Sequence, residues 1–505
     1  MLMLDQTKAP LLETLQLMAK RPHAPFYAPG HKRGEGIAPE LREWFGMAMF
    51  QADLPELPEL DNLFAPQGAI ASAQQLAAEA FGASDSWFLV NGSTCGIIAA
   101  ILATCKSGEK IILPRNIHQS VISGLMLSGA MPIFVNPEYD PDWDMAHSIS
   151  VQGVATALAA HPDAKAVMMV YPTYHGVCGD VAEIAEITHQ YGIPLLVDEA
   201  HGPHFAFHPD LPIAPLAAGA DLTVQSIHKV LGAMTQASML HVQGSFIDRA
   251  KLNQALQMVQ SSSPSYLLLA SLDAARRQMA MTGTVEMAKT LDLAADARAR
   301  IAQIPGLSVL DVPTVPSSGF FALDRTRLTV QVTGLGLTGY EADEILHQQL
   351  GVTAELPCLG HLTFIISLGT TATDIDRLVV GFAHLSQDYH LKPFDRGQAS
   401  PLTPPFRGSA VYTGNPVPIL TPREAFFAPG EMLPIEKTVG RISAELVCPY
   451  PPGIPVLIPG EAIARSSIEF LQKILANGGT ITGCSQPDLK TLFVVSRSHQ
   501  ALKNH

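Results

Sequence analysis

The chain has 505 residues, 47% hydrophobic and 15% charged, a composition that excludes a disordered or fibrous protein. The formal net charge of −14 argues against a nucleic-acid binder, which needs a basic face. At about 150 residues per domain the length predicts roughly three domains.

The start, MLMLDQTKAP, lacks the basic-then-apolar pattern of a signal peptide, and no apolar run approaches membrane-spanning length. Residues 1–65 combine proline and glycine with bulky apolar side chains, in PFYAPGHKRG and ADLPELPELDNLF, and read as an ordered arm of the kind that lies on a partner subunit. From 66 to 300, short runs rich in Val, Ile and Leu alternate with helical patterns. Strands are expected at Trp87–Val90, Lys110–Leu113, Pro132–Val135, Ala166–Val170, Leu195–Asp198, Leu222–Gln225 and Ala237–Val242. Helices are expected at Ser72–Ala80, Cys95–Cys105, His118–Leu127, Gly153–Ala160 and Val181–Tyr191. The alternation predicts an α/β fold with a mostly parallel, doubly wound sheet. A long helix, Leu268–Ile304, leads into a small α/β subdomain over 301–390. It has strands Leu328–Thr333 and Thr363–Ser367 and helices Tyr340–Leu350 and Thr373–Ser386. Residues 391–409, dense in proline and polar residues, read as a linker, and 410–505 as an α+β C-terminal domain with one helix, Ala462–Asn477. Six cysteines, at 95, 105, 178, 358, 448 and 484, form no C-x-x-C pair. Neither a metal site nor a disulfide framework is expected, and a reduced, cytoplasmic enzyme fits.

Four short motifs follow strands. Lys229, in Ser226-Ile227-His228-Lys229, comes just after Leu222–Gln225, where open α/β sheets place their ligand crevice. A desolvated lysine there has a lowered pKa and can form a Schiff base; the plainer reading is a surface lysine. Asp198 ends an apolar strand, and an acid so placed needs a cation, such as a protonated pyridine, or serves as a helix cap. Asn91-Gly92-Ser93-Thr94 opens an apolar helix, where N–H groups, hydroxyls and the helix dipole make a phosphate cradle or a simple cap. His118 follows Lys110–Leu113 and either stacks on a flat cofactor or caps the next helix.

In this order and spacing, the motifs resemble those of pyridoxal-phosphate enzymes of the aspartate aminotransferase fold. More closely, the chain resembles the bacterial Orn/Lys/Arg decarboxylase family. The likeness runs through PFYAPGHKRG, LDNLF, LVNGSTCGIIAAI, PRNIHQSV, YPTYHGVCGD, LLVDEAHGPHF, QSIHKVLGAMTQASMLH, SSSP and GRISAELVCPYPPGIPVLIPGE, from about residue 25 to 461. The resemblance implies decarboxylation of arginine, lysine or ornithine to agmatine, cadaverine or putrescine, a step of polyamine biosynthesis, with pyridoxal 5'-phosphate as cofactor. It implies that Lys229 carries the cofactor, Asp198 pairs with its ring nitrogen and His118 stacks on the ring. Ser93, Thr94 and Ser226 would hold the phosphate, and His228 would sit over the reacting carbon. His201 would stand at the cofactor and substrate pocket, and Ser261 would reach the neighbouring subunit's cofactor in a homodimer with shared sites. Glu445 is the expected holder of the substrate's distal cation, with a salt bridge to Arg441 as the structural alternative. Other chemistry on the same cofactor, transamination or an aldol-type lyase reaction, is the competing function. Long family members begin with a receiver-like wing; here the likeness starts near the first residue, so ring assemblies built on that wing are not expected, whereas the dimer is.

Overall fold

The computed structural model describes residues 4–389, 418–450 and 453–497; the expected linker at 391–409 lies outside them. Two compact units divide the chain, Met1–Ala103 with Leu196–Ala288, and Thr104–Leu195 with Lys289–His505. The expected 66–300 segment is thus shared between both.

In the first unit the strands Asp85–Leu89, Ser238–Val242, Leu222–Gln225 and Leu195–Asp198 lie side by side in that order. The last two run parallel, with Val197 opposite Thr223, while Ser238–Val242 is antiparallel to both its neighbours. LLVD and LTVQ are buried at every position, as covered strands must be. Each ends in a polar residue, Asp198 and Gln225, so its carboxyl end delivers a polar group. The helix Gly92–Thr104, GSTCGIIAAILAT, lies against this sheet. Gly96 permits the approach: a Cβ there would come within 2.7 Å of the Leu89 and Val224 side chains.

The arm begins within this unit. Helix Pro10–Lys20 buries Leu11 and Leu15. Asp273 accepts from the amides of Leu11 and Leu12 at 2.9 and 3.4 Å and is paired with Arg276 at 2.6 Å, both side chains fully buried. Arg276 in turn donates to the carbonyls of Gln6 and Lys8.

In the second unit Ala166–Val170, Lys110–Pro114 and Met131–Val135 form a parallel trio. A hairpin of Pro137–Asp140 with Met145–Ile149 follows Met131–Val135 in sequence, in a stretch whose Asp-Pro-Asp turn carries no strand signal. The small subdomain is an antiparallel sheet of Ser308–Val309, Arg327–Gln331, His361–Ile365 and Leu356–Pro357, with helices Gly339–Leu350 and Ala372–Tyr389 sharing its apolar core. The C-terminal part has helix Arg465–Ala476 and two-stranded sheets pairing Gly430–Pro434 with Thr491–Val495 and Cys448–Tyr450 with Thr480–Thr482.

A buried polar chain crosses the sheet of the first unit. Ser86 Oγ meets His241 Nδ1 at 2.6 Å, His241 Nε2 meets Gln225 Oε1 at 3.1 Å, and Gln225 Nε2 donates to Glu199 Oε2 at 2.9 Å. Burial pushes the Glu199 carboxyl up to about 8 and the His241 imidazole down to about 3. Both groups are therefore neutral in the folded protein near pH 7. Glu199 contributes stability that is full below its ordinary 4.5 and is lost as pH rises through about 8. His241 contributes stability present above 6.5 and lost as pH falls through about 3. Glu199→Gln should therefore gain stability relative to the unsubstituted chain as pH rises from 5 to 8. Denaturant midpoints measured across that range check this; two curves that stay parallel would contradict it.

Candidate active site

The short helix Ile227–Val230 follows strand Leu222–Gln225 and carries His228 and Lys229, with Ser226 at its N-cap. The Nζ of Lys229 is 2.9 Å from Nε2 of His201, which arrives from the turn after strand Leu195–Asp198. Asp198, at the end of that strand, is 6% exposed and accepts from the Ala200 amide at 3.2 Å. Burial pushes its carboxyl up against the opposing pull of the Lys229 charge. Among the described residues no ion pair reaches Asp198. The arrangement is a carboxylate held dry, close to one lysine and short of a full cation partner.

The hydroxyls of Ser226 and Ser93 meet at 2.8 Å. Ser93 sits in the first turn of Gly92–Thr104, where the helix N–H groups are without intrahelical partners, and Thr94 beside it is exposed. Gly92 has φ +73°, and a Cβ there would meet nothing within 4 Å. Ser261 is exposed; its amide donates to Asn91 Oδ1 at 3.1 Å, so Asn91 joins the SSSP run to the cradle. Asn91 was visible only as the residue before Gly92. His228 turns Nδ1 to the Ala237 carbonyl at 3.0 Å. Burial lowers its pKa, opposed by that hydrogen bond, so a neutral ring with Nε2 as acceptor is favoured. Ser93, Thr94, Asp198, His201, Ser226, His228, Lys229 and Ser261 all belong to the first unit.

His118 and Glu445 belong to the second unit. His118 is the N-cap of helix Gln119–Ser128: its Nδ1 accepts from the Ser120 amide at 3.2 Å and lies 2.8 Å from Ser120 Oγ. That bonding leaves Nε2 as the protonated nitrogen. Gly453, in the PYPPGIP segment, comes close enough that a Cβ there would be 3.9 Å from the ring. Three residues before His118, Arg115 is paired with Glu461 at 3.0 Å and donates to the carbonyls of Pro455 and Val456.

Glu445 is buried, and its carboxylate is satisfied by protein donors. Oε2 accepts from the amide and hydroxyl of Ser485 at 2.9 and 2.8 Å, and Oε1 from the Phe493 amide at 2.9 Å. The alternative partner, Arg441, instead reaches Glu431 at 2.8 Å and the Val495 carbonyl. Three arm acids are likewise occupied. Asp61 accepts from the amides of Asn62, Gln67 and Gly68, and Glu56 from the Asn62 side chain. Asp53 meets His31 at 3.1 Å.

The family description "Orn/Lys/Arg decarboxylase, major domain" matches residues 9–378, and "Orn/Lys/Arg decarboxylase, C-terminal domain" matches 408–485. The chain is 38% identical to an arginine decarboxylase of Bacillus subtilis over 97% of its own length and 98% of the relative's. It is also 38% identical to an arginine decarboxylase of Halalkalibacterium halodurans over 99% of both. The solved structure of lysine decarboxylase A from Pseudomonas aeruginosa superposes with a TM-score of 0.82, covering 96% of this chain and 80% of that one at 23% identity, a likeness of fold. With the major-domain description spanning most of its length and near-full-length relatives above 30% identity, this chain belongs to the Orn/Lys/Arg decarboxylase family.

Proposed function

We propose that this chain is a pyridoxal-phosphate-dependent decarboxylase of basic L-amino acids that acts on arginine, releasing agmatine and CO2. The observation that carries the reading is the buried Asp198 carboxylate at a strand end, acted on by the charge of Lys229 from the short helix after the neighbouring strand. The choice of arginine rests on the near-full-length relatives named arginine decarboxylase.

The residues present fit the cofactor. Two hydroxyls 2.8 Å apart at the start of a helix, beside a glycine with open space over it, suit a phosphate. A dry carboxylate without an ion pair suits a pyridinium nitrogen. When bound, the cofactor supplies an electron sink for the pair left behind by departing CO2. Asp198 would hold the proton on the pyridine nitrogen by charge pairing in a dry setting. Ser93, Thr94 and Ser226, with the first N–H groups of Gly92–Thr104, would fix the phosphate. His201 Nε2 would take the proton from Lys229 Nζ and leave the amine free to act as a nucleophile. His228, with Nδ1 committed to the Ala237 carbonyl, would turn its acceptor Nε2 to the substrate's α-carbon, where it could take up and pass on a proton.

The site would be completed in a homodimer. Ser261 is exposed, and two large apolar side chains of the arm, Phe26 and Trp44, are 96% and 79% exposed. A reduced, cytoplasmic setting suits six cysteines of which none is in a disulfide. No helix among the described residues is long and apolar enough to cross a membrane.

Glu445 would act as a tie within the C-terminal part, because a carboxylate with three donors has no need of a substrate cation.

Lys229→Ala should lose turnover and the visible absorption of the bound cofactor together. Asp198→Asn should keep the fold, bind cofactor more weakly and lose orders of magnitude in kcat. Near-normal kcat in the Asn variant would move the electron-sink role elsewhere. Glu445→Gln should cost about 1–3 kcal/mol of stability, since it replaces an acceptor-only carboxylate with an amide whose NH2 faces donors, and leave KM for arginine unchanged. A sharp rise in KM with an unchanged Tm would make Glu445 the distal anchor instead.

A further inference from the structure

A second cluster of chemically capable side chains lies wholly within the second unit. His175, Cys358 and His361 bring one ligand atom each to within 4.8 Å of one another. They line a cavity of about 130 Å³ whose other walls include Tyr340, Phe470 and Ile474. Local geometry places them. Cys358 and His361 are the ends of a C-x-x-H turn, Cys358-Leu359-Gly360-His361, that joins strand Leu356–Pro357 to His361–Ile365. The Cys358 amide closes the turn on the His361 carbonyl at 2.9 Å. His175 comes from the turn after Ala166–Val170 that is closed by Gly176 N–H to the Thr173 carbonyl at 2.9 Å.

The bonding of the two imidazoles points to a missing partner. Nδ1 of His175 is 3.0 Å from Thr363 Oγ1, which is 2.9 Å from Thr329 Oγ1. A threonine relay on Nδ1 orients the ring and leaves Nε2 for a ligand, the outer support that metal-bound histidines use. His361 is 2% exposed, and neither of its ring nitrogens has a hydrogen-bond partner of ordinary geometry, although the Trp143 backbone lies beside it. A buried imidazole in that state costs free energy that a bound cation would recover. The two rings stand edge to face, 4.9 Å between centroids.

We propose that His175, Cys358 and His361 form a binding site for a zinc-class divalent cation, with the fourth coordination position open to the cavity. Two imidazoles and a thiolate are a donor set of intermediate softness, which suits Zn²⁺ and its Co²⁺ substitute and not Mg²⁺ or Ca²⁺. Burial keeps both imidazoles neutral, the ligand form, and pushes the Cys358 thiol up to about 12. Binding therefore forms the metal–sulfur bond and releases the thiol proton to solvent. Asp144, whose charge reaches both Cys358 and His361, offsets the single positive charge that remains.

The test uses the full-length holoenzyme, freed of metal by chelation and titrated with Zn²⁺ or Co²⁺. One equivalent per chain should bind, measured by elemental analysis, and Co²⁺ should give a thiolate-to-metal charge-transfer band in the difference spectrum. Cys358→Ser, a nearly isosteric change, should abolish the band, and His361→Ala should abolish stoichiometric binding. Cys484→Ser, at the other partly exposed cysteine, should change neither. Thr363→Val, which removes the relay without touching a ligand, should weaken binding by about 10–100-fold. The proposal is overturned if the unsubstituted chain binds less than one equivalent, or if binding and band survive in Cys358→Ser.

Discussion

A carboxylate buried at the end of an apolar strand is the constraint around which the first unit is arranged. Asp198 cannot be kept charged in that position without a cation nearby, and burial already pushes its carboxyl up. Lys229 supplies part of the answer and is itself held by His201 at 2.9 Å. Two neighbouring strands, LLVD and LTVQ, are buried throughout and can open to a ligand only at their carboxyl ends. The acid, the lysine and Ser226 therefore converge there. Gly96 lets the helix Gly92–Thr104 settle against Leu89 and Val224 of the same sheet and so brings Ser93 to Ser226.

The second unit shows how a distant segment can fix a local one. Arg115 and Glu461 are 2% and 4% exposed at the side chain, and Arg115 also grips the carbonyls of Pro455 and Val456. A buried pair of this kind adds little net stability, yet losing one partner costs about 3–5 kcal/mol. It therefore fixes the placement of Pro455 and Val456. Gly453 lies close to the ring of His118, three residues beyond Arg115, in a backbone conformation, φ +89°, that favours glycine.

Much of the fold was legible because apolar strands covered on both faces announce themselves. Ala166–Val170, Leu195–Asp198 and Leu222–Gln225 have the bounds that periodicity predicts. The hairpin Pro137–Asp140 with Met145–Ile149 and the short C-terminal strands were not legible, being polar, half-exposed or too brief for a period to show. The strand Ser238–Val242 was legible as a strand but not as antiparallel, because pairing direction leaves no trace in composition. In the site, residues that follow strands could be found from spacing. The partners of Glu445 could not be read that way: an acid among apolar neighbours demands a partner, but Ser485 and Phe493 lie 40 and 48 positions on. The C-x-x-H turn at 358–361 was present in the sequence, yet it gains meaning only when the fold brings His175 to it.

The central claim is that the strand-end constellation of Asp198, Lys229, His201 and the two serines serves carboxylate loss from a basic amino acid. It is tested most directly by supplying arginine, lysine and ornithine side by side to the cofactor-loaded protein, with CO2 and amine measured together. The account predicts equal amounts of CO2 and agmatine from arginine, at a kcat/KM above that for lysine and ornithine. Formation of a keto acid without CO2, or no amine from any of the three, would contradict it.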